Sequence, residues 1–553
     1  MEDKRRKLLL IGIYMIFVAL MARMSYFQLF QGEELSKAAS SQKFADIVID
    51  KARGNILDRN VISFTERGTS SIVVIKTLML RGREEDIEEI SAVLGLKPAK
   101  LRREIDIRKE PIIVETGEEE GRKLVNSRIN GVSVIYTRKR YDENSLARHV
   151  IGYLNKSDQI GAAGIEAYYE NILNSGTDKI VGVVTDATDN PLYGLGYRLM
   201  DEEEKGKKLN VKLTLDYHIQ KIVEEVMEEH NVSGAVVVED VNNGDIVAIA
   251  SKPDFDQNRV DEYLDSPGKE LFNKAVASYN LGSVFKIIDA ASALESHQYL
   301  EDSYFCKGYI EVGDKIVKCG SYDTGGHGKV DITRAFALSC NPYFIELSIR
   351  MGPERIIDMA RKLGFGSITG IKSQGVDESG GSLPDTGKKY FTHGDTANMA
   401  IGQGEVLATP LQVADLVATV ANGGIKNKIN IVDSIIDEDG NKVSNIKKQE
   451  GIRVMSKKTS DIIRSMMEEV VDTGTGAVVR LEEYGGSGGK TGSAETGLSS
   501  EKGNVVQAWF AGYFPRVNPK YSVAVFVEDG RAGNKAAAPV FEAIAEEIMK
   551  KGY

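Results

Sequence analysis

Three cysteines in 553 residues cannot supply a disulfide framework, so the chain must hold its shape through an apolar core, with at most one disulfide or one metal site built from its thiols. A basic excess is missing too. Against 81 Asp and Glu stand 70 Lys and Arg, and the net charge of -11 argues against nucleic acid as a partner. Even the apolar run at the amino end is short: Leu8 to Ala22 falls below the roughly 20 residues that span a membrane. Arg23 can reach back to the headgroups, and Met24, Tyr26, Phe27, Leu29 and Phe30 carry the run further. Lys4-Arg5-Arg6-Lys7 in front marks the flank that stays in the cytoplasm. A cleavable signal peptide is the competing reading, but apolar residues continue past any small-residue cleavage site. The expectation is an uncleaved single-pass anchor, with the chain beyond residue 31 outside the membrane.

A hydrophobic content of 42% leaves room for two or three domains and a large core. Asp201-Glu202-Glu203-Glu204-Lys205-Gly206-Lys207-Lys208 contains no apolar residue and reads as a boundary, which divides the chain into 1–31, 32–208 and 209–553. Residues 32–41 read as a polar juxtamembrane helix, and 84–109 as amphipathic helices with Ile87, Ile90, Val93, Leu94 and Leu101 inward. Beyond the boundary, a helix is expected from His218 to Glu229. A hairpin of 234–238 and 246–250 turns at Asn242-Asn243-Gly244-Asp245. Strand-like runs at 507–514 and 521–527 precede a helix expected from Pro539 to Lys550. Strands at both ends with helices between them give an α+β class with a mainly antiparallel sheet.

The sharpest signal is Asn280-Leu281-Gly282-Ser283-Val284-Phe285-Lys286. Val284, Ile287, Ile288, Ala291 and Leu294 recur at helical spacing, which puts Ser283 on the first turn of a buried helix and Lys286 on the same face. A lysine in a dry pocket gives up its proton readily and can activate a serine. The spacing alone says little, since Ser-x-x-Lys also occurs at Ser40, Ser266, Ser444, Ser487 and Ser499. Only the Ser283 copy opens an apolar helix and is followed in order by Ser339-Cys340-Asn341 and Lys490-Thr491-Gly492.

That ordered trio, S-x-x-K, S-x-N and K-T-G, resembles the class B penicillin-binding proteins. Leu281 and Val284 stand where that family commonly has proline and threonine. Arg53-Gly54-Asn55-Ile56-Leu57-Asp58-Arg59-Asn60 is similar to the family's RGxIxDRNG motif, with Val61 in place of its last glycine. Arg140-Tyr141, the stretch 146–153, and Gly164-Ile165-Glu166 with Tyr168 and Tyr169 resemble its pedestal; His149 there reads as a packed structural residue. Stretches 400–404, 409–412 and 421–424 match as well. The resemblance implies an elongated mixed pedestal (dimerisation-type) domain over 32–208 and a transpeptidase domain over 209–553.

Its implied activity is a serine D,D-transpeptidase that cross-links peptidoglycan stem peptides and is a target of β-lactams. Ser283 is then the nucleophile and Lys286 its base. Ser339 passes a proton to the leaving amine, Asn341 binds the substrate amide, and Lys490 is a fixed cation that attracts a terminal carboxylate. Thr491, Gly492 and Ser493 line a strand edge for an extended peptide, with the N–H groups of Ser283 and Ser493 as oxyanion hole. No stretch before residue 211 is patterned as a glycosyltransferase domain, and the resemblance implies that glycan polymerisation comes from a polytopic membrane partner of the SEDS type. The neighbouring readings are a D,D-carboxypeptidase, a β-lactam-hydrolysing or sensing relative, and a non-catalytic wall-assembly scaffold. No E-x-x-L-N stretch follows Asn341 to hold a deacylating water.

Between the first two motifs lie Cys306, Cys319, Asp323 and His327. Two thiolates, an imidazole and a carboxylate within 22 residues suit a closed, structural zinc site, while the chemistry itself needs no cofactor. In an exported protein Cys306 and Cys319 could instead form a disulfide or stay free. Cys340 reads as a small buried filler.

Overall fold

The computed structural model describes residues 2–31, 44–50, 53–108, 111–177, 179–184, 197–201, 206–297, 304–388, 391–445, 449–500 and 503–553. The juxtamembrane helix expected over 32–41 lies outside them. Helix α1 (Glu2–Phe30) contains the segment Lys4–Tyr26, with a mean hydropathy of 2.1, which is long and apolar enough to cross a membrane.

The chain divides into two compact units, Met1–Arg53 with Thr69–Arg138 and Ser175–Lys207, and Gly54–Gly68 with Lys139–Asn174 and Lys208–Tyr553. In the first unit, β1 (Gly68–Ile75), α2 (Glu84–Leu94), α3 (Pro98–Ile107), β2 (Ile112–Thr116), α4 (Glu118–Ser127) and β3 (Val132–Lys139) form a sheet of order β2-β1-β3 with helices beside it. Ile87, Ile90, Leu101, Ile105 and Leu124 bury against Val73, Ile75 and Ile112 in one core, as the helical stripe requires.

The second unit starts from its RGxIxDRN-like segment. Ile56–Leu57 pairs parallel with Asn210–Leu213. The buried Asp58 carboxylate accepts from the N–H groups of Asn60, Ile62 and Tyr217, at 2.7, 2.7 and 3.0 Å. Val61 adopts φ +69°, the left-handed conformation that glycine would enter without strain. This turn keeps its shape at a local cost.

Helix α5 (Tyr217–Glu229) is N-capped by Asp216, and the expected hairpin is β4 (Gly234–Asp240) and β5 (Ile246–Lys252). After the 3-10 turn Gly282–Phe285 come α6 (Lys286–Glu295), α7 (Ile332–Ala337), α8 (Asn341–Met351), α9 (Pro410–Ala421) and α10 (Lys457–Asp472). The chain closes with β6 (Gly488–Ser500), β7 (Gly503–Phe514), β8 (Tyr521–Val527) and α11 (Gly533–Lys551). The five strands form one antiparallel sheet of order β5-β4-β8-β7-β6. Alternate residues feed two cores. Val236, Val238, Val523 and Val525 pack with α5 and α11, whereas Ala235, Val237, Ala524 and Phe526 pack with α6, α9 and α10. Both faces are covered, which is why β4 reads as an unbroken apolar run.

The last helix corrects its expected start. It begins at Gly533 and carries Pro539 inside. Proline marks a first turn in sequence reading, but the alanines at 536–538 extend the helix ahead of it, and α11 gives up the hydrogen bond that a residue at 539 would donate.

Candidate active site

Ser283 stands in the 3-10 turn Gly282–Phe285 that winds into α6, a tighter entry than the plain α-helical turn expected from its spacing. Gly282 opens it at φ +56°, and a Cβ there would lie 2.4 Å from the Ser493 carbonyl oxygen. Only glycine lets the nucleophile's turn press against strand β6. Leu281 and Val284 are fully buried, so the two departures from the family's pattern serve packing.

The three motifs meet at two ammonium groups. Lys286 Nζ donates to Ser283 Oγ at 3.0 Å, to Ser339 O and Oγ at 2.8 and 3.2 Å, and to Asn341 Oδ1 at 2.7 Å. Lys490 Nζ donates to the same Ser339 Oγ at 3.1 Å and to the Thr491 carbonyl at 3.1 Å. Ser339 therefore bridges the lysines, and it does so from φ +54°, a strained conformation for serine. α7 and α8 meet at this residue, and the carboxamide of Asn341 also donates to the Lys318 carbonyl at 3.1 Å. On β6, Ser493 Oγ accepts the Gly533 N–H at 3.1 Å, and Thr491 shares a 2.6 Å hydrogen bond with the Thr475 hydroxyl. Gly492 lies where a Cβ would meet the Leu281 carbonyl at 2.7 Å.

Burial dominates the electrostatics. Both lysines are fully buried, and desolvation brings Lys286 down to about 8; the Cys340, Cys319 and Asp289 side chains counter it. Lys490 is pushed well below its usual range, by burial first and then by the charge of Lys286. Its positive charge is therefore costly to hold without an anion beside it. Asp289, one turn below Lys286 and wholly buried, is pushed well up by desolvation. His149 has its Nε2 2.7 Å from the Glu270 carbonyl and an edge-on contact with Phe255, and burial lowers it to about 4. That is the packed histidine the sequence suggested.

The cysteine cluster differs from expectation in one member. The ligand atoms of Cys306, Cys319, His327 and Cys340 lie within 4.8 Å of one another, and Cys319 Sγ is 3.5 Å from His327 Nδ1. Asp323 is outside the set, on the exposed turn Tyr322–Thr324. In its place Cys340, read as a filler, comes in from the α7–α8 junction. Sequence proximity favoured Asp323; the strand pair Tyr304–Cys306 and Gly328–Val330 instead folds the loop back onto that junction. None of the three cysteines is in a disulfide. Hydrogen bonds from Cys340 and His327 hold the Cys319 thiol far below its usual range, while Cys340 is pushed up by the same neighbour. Other residues at the site that sequence reasoning passed over are Thr475, in the Thr-Gly-Thr-Gly stretch 473–476, and Gly533.

A serine and a lysine in hydrogen-bond contact, with a bridging hydroxyl and a strand edge beside them, are the groups that a nucleophile and its base require. Residues 234–546 match the model of the penicillin binding protein transpeptidase domain, and 48–211 that of the penicillin-binding protein dimerisation domain. The chain belongs to the class B penicillin-binding proteins. It is 29% identical to stage V sporulation protein D of Bacillus subtilis, over 99% of this chain and 85% of that one. It is 27% identical to the peptidoglycan D,D-transpeptidase MrdA of Acinetobacter baumannii, over 96% and 86%. Among solved structures, a chain described under the structural coordination of polymerization and crosslinking by a peptidoglycan synthase complex aligns with TM-score 0.71 and 26% identity, over 99% of this chain and 98% of that one.

Proposed function

We propose that the protein is a membrane-anchored serine D,D-transpeptidase that cross-links peptidoglycan stem peptides through an acyl-enzyme on Ser283. The observation that carries this is the hydrogen bond of Lys286 Nζ to Ser283 Oγ, in a network closed by Ser339 and Asn341. Ser283 Oγ attacks the carbonyl carbon of the penultimate residue while its proton passes to neutral Lys286. The N–H groups of Ser283 and Ser493 receive the oxyanion. The C–N bond then breaks, and the leaving amine takes a proton through Ser339. An amine of a second stem peptide attacks the ester, forms the cross-link and releases Ser283. A β-lactam follows the first half only, because its leaving amine stays tethered. The donor peptide adds to the free edge of β6, the last strand of its sheet, where Thr491, Gly492 and Ser493 line its path. A carboxylate docked there stabilises the charge that burial makes costly on Lys490.

Lys286 must be neutral to accept the proton, and its value of about 8 lies below the usual lysine range. Acylation by penicillin should therefore be slow at pH 6, rise through a midpoint near pH 8 and level off above it. Rates of penicillin labelling across that range check this; a flat profile would take the base role from Lys286.

Residues 1–31 serve as cytoplasmic tail and anchor, 32–208 as pedestal and 209–553 as the catalytic domain outside the membrane. Glycan strands come from a polytopic SEDS-type glycosyltransferase, in keeping with the synthase complex to which the aligned structure belongs. Protease added outside permeabilised-envelope cells should digest the body and spare the first residues. Recovery of a soluble form cut within 1–31 would overturn this topology.

We also infer that Cys306, Cys319, His327 and Cys340 hold one structural zinc. Sulfur ligands about 2.3 Å from a tetrahedral zinc are about 3.8 Å apart, and the cluster's spread of under 4.8 Å accommodates that. Four protein ligands leave no open position, so the metal supplies support and no chemistry.

A further inference from the structure

The two hydroxyls of the Lys490-Thr491-Gly492-Ser493 strand are each engaged by a protein partner, and those partners constrain which way the hydroxyls point. A hydroxyl has one hydrogen to donate and two lone pairs. Ser493 Oγ accepts from the Gly533 backbone N–H, which can only donate, so the Ser493 hydrogen is left for a ligand. Thr491 Oγ1 lies 2.6 Å from Thr475 Oγ1, where either hydroxyl could donate. A bound anion removes the ambiguity: it accepts from Thr491, so Thr491 must accept from Thr475.

We propose that Thr475 is a positioning residue for carboxylate recognition, donating its hydroxyl hydrogen to Thr491 so that Thr491, like Ser493, presents a hydrogen to the substrate's terminal carboxylate. Both partners are anchored by the backbone around them. The Thr475 N–H donates to the Ala337 carbonyl at 3.0 Å, two residues before Ser339. Gly474 and Gly476 N–H both donate to the Val470 carbonyl, at 3.1 and 3.0 Å, and the Thr473 hydroxyl accepts from Arg334 at 2.7 Å. Gly533 is fixed by close approach, since a Cβ there would lie 2.4 Å from the carbonyl oxygens of Gly492 and Trp509. It is also the first residue of the 19-residue α11, whose N-terminal end adds positive potential near Ser493. With Lys490 turned inward to Ser339, this hydroxyl pair is the polar surface that meets the anion first.

The inference rests on the transpeptidase reading, and its test separates the two. Acylation rates are measured with benzylpenicillin, which carries a carboxylate, and with its methyl ester, which does not. Thr475→Val should slow acylation by benzylpenicillin roughly tenfold or more and change the ester rate less than about twofold. Thr475→Ser should restore the acid rate, and Thr475→Ala supplies the same contrast should valine not fold. Equal losses on both ligands, no loss on either, or failure of serine to restore the rate overturns the positioning role. Absence of labelling in the wild type overturns the transpeptidase reading, and this inference with it.

Discussion

Ser283→Ala is expected to take up no fluorescent penicillin at any exposure time, while the wild type is labelled on one serine. Ser283 opens the buried helix and has Lys286 Nζ 3.0 Å from its hydroxyl, whereas the Ser339 hydroxyl is already engaged by both Lys286 and Lys490. The nearest imitation is Ser487, three residues before Lys490. Its hydroxyl is sealed in the interior, and Lys490 points along β6 to Ser339. Ser266 spends its hydroxyl on Glu270, at 2.9 Å. Lys286→Met keeps the length and apolar stem of the buried side chain but removes the proton acceptor. It should fold and acylate about 100- to 10,000-fold more slowly, the span that general base catalysis ordinarily contributes. Mass spectrometry of the penicillin adduct checks both variants. An adduct on Ser283→Ala, at Ser487 or elsewhere, overturns the assignment of the nucleophile, and a Lys286→Met protein acylated at the normal rate overturns that of the base.

The order of the three motifs was legible because each sits on an element with a strong local pattern: an apolar helix after Gly282, a helix opened by Asn341-Pro342, and a strand. Periodicity likewise gave the hairpin of β4 and β5 and the amphipathic α2, since a buried stripe or alternating face is a local property of the chain. The rest depends on contacts remote in sequence. Thr475 reaches Thr491 only because the loop after α10 is tied to Ala337, and Gly533 reaches Ser493 only across the turn after β8. The surroundings of Lys490 were out of reach for the same reason. Sequence shows a lysine in a glycine-rich stretch, whereas the cost of its charge comes from full burial beside a second ammonium. The start of α11 shows the opposite failure, a local rule about proline overridden by helix formers on both sides.

Cys340→Ser is expected to lose bound zinc, and Asp323→Asn to keep it. Elemental analysis should find one zinc per chain in the wild type and in Asp323→Asn. The two variants separate the cluster seen in the structure from the one its spacing in sequence suggests, since Asp323 is exposed and Cys340 is buried among the other three ligands. The unfolded chain holds no preformed site, so metal binding energy becomes folding energy, on the order of 10 kcal/mol for structural zinc. The loss should appear first as a lower melting temperature. It reaches the active site by two routes: Cys340 lies between Ser339 and Asn341, and the Lys318 carbonyl beside Cys319 accepts from the Asn341 carboxamide. Releasing the cluster frees both ends of the S-x-N motif from the bridge between Lys286 and Lys490. Chelation of the wild type should accordingly lower the melting temperature and penicillin labelling together, and added zinc should restore both. A metal-free wild type with a disulfide among these cysteines, or loss of zinc from Asp323→Asn, would sink this assignment.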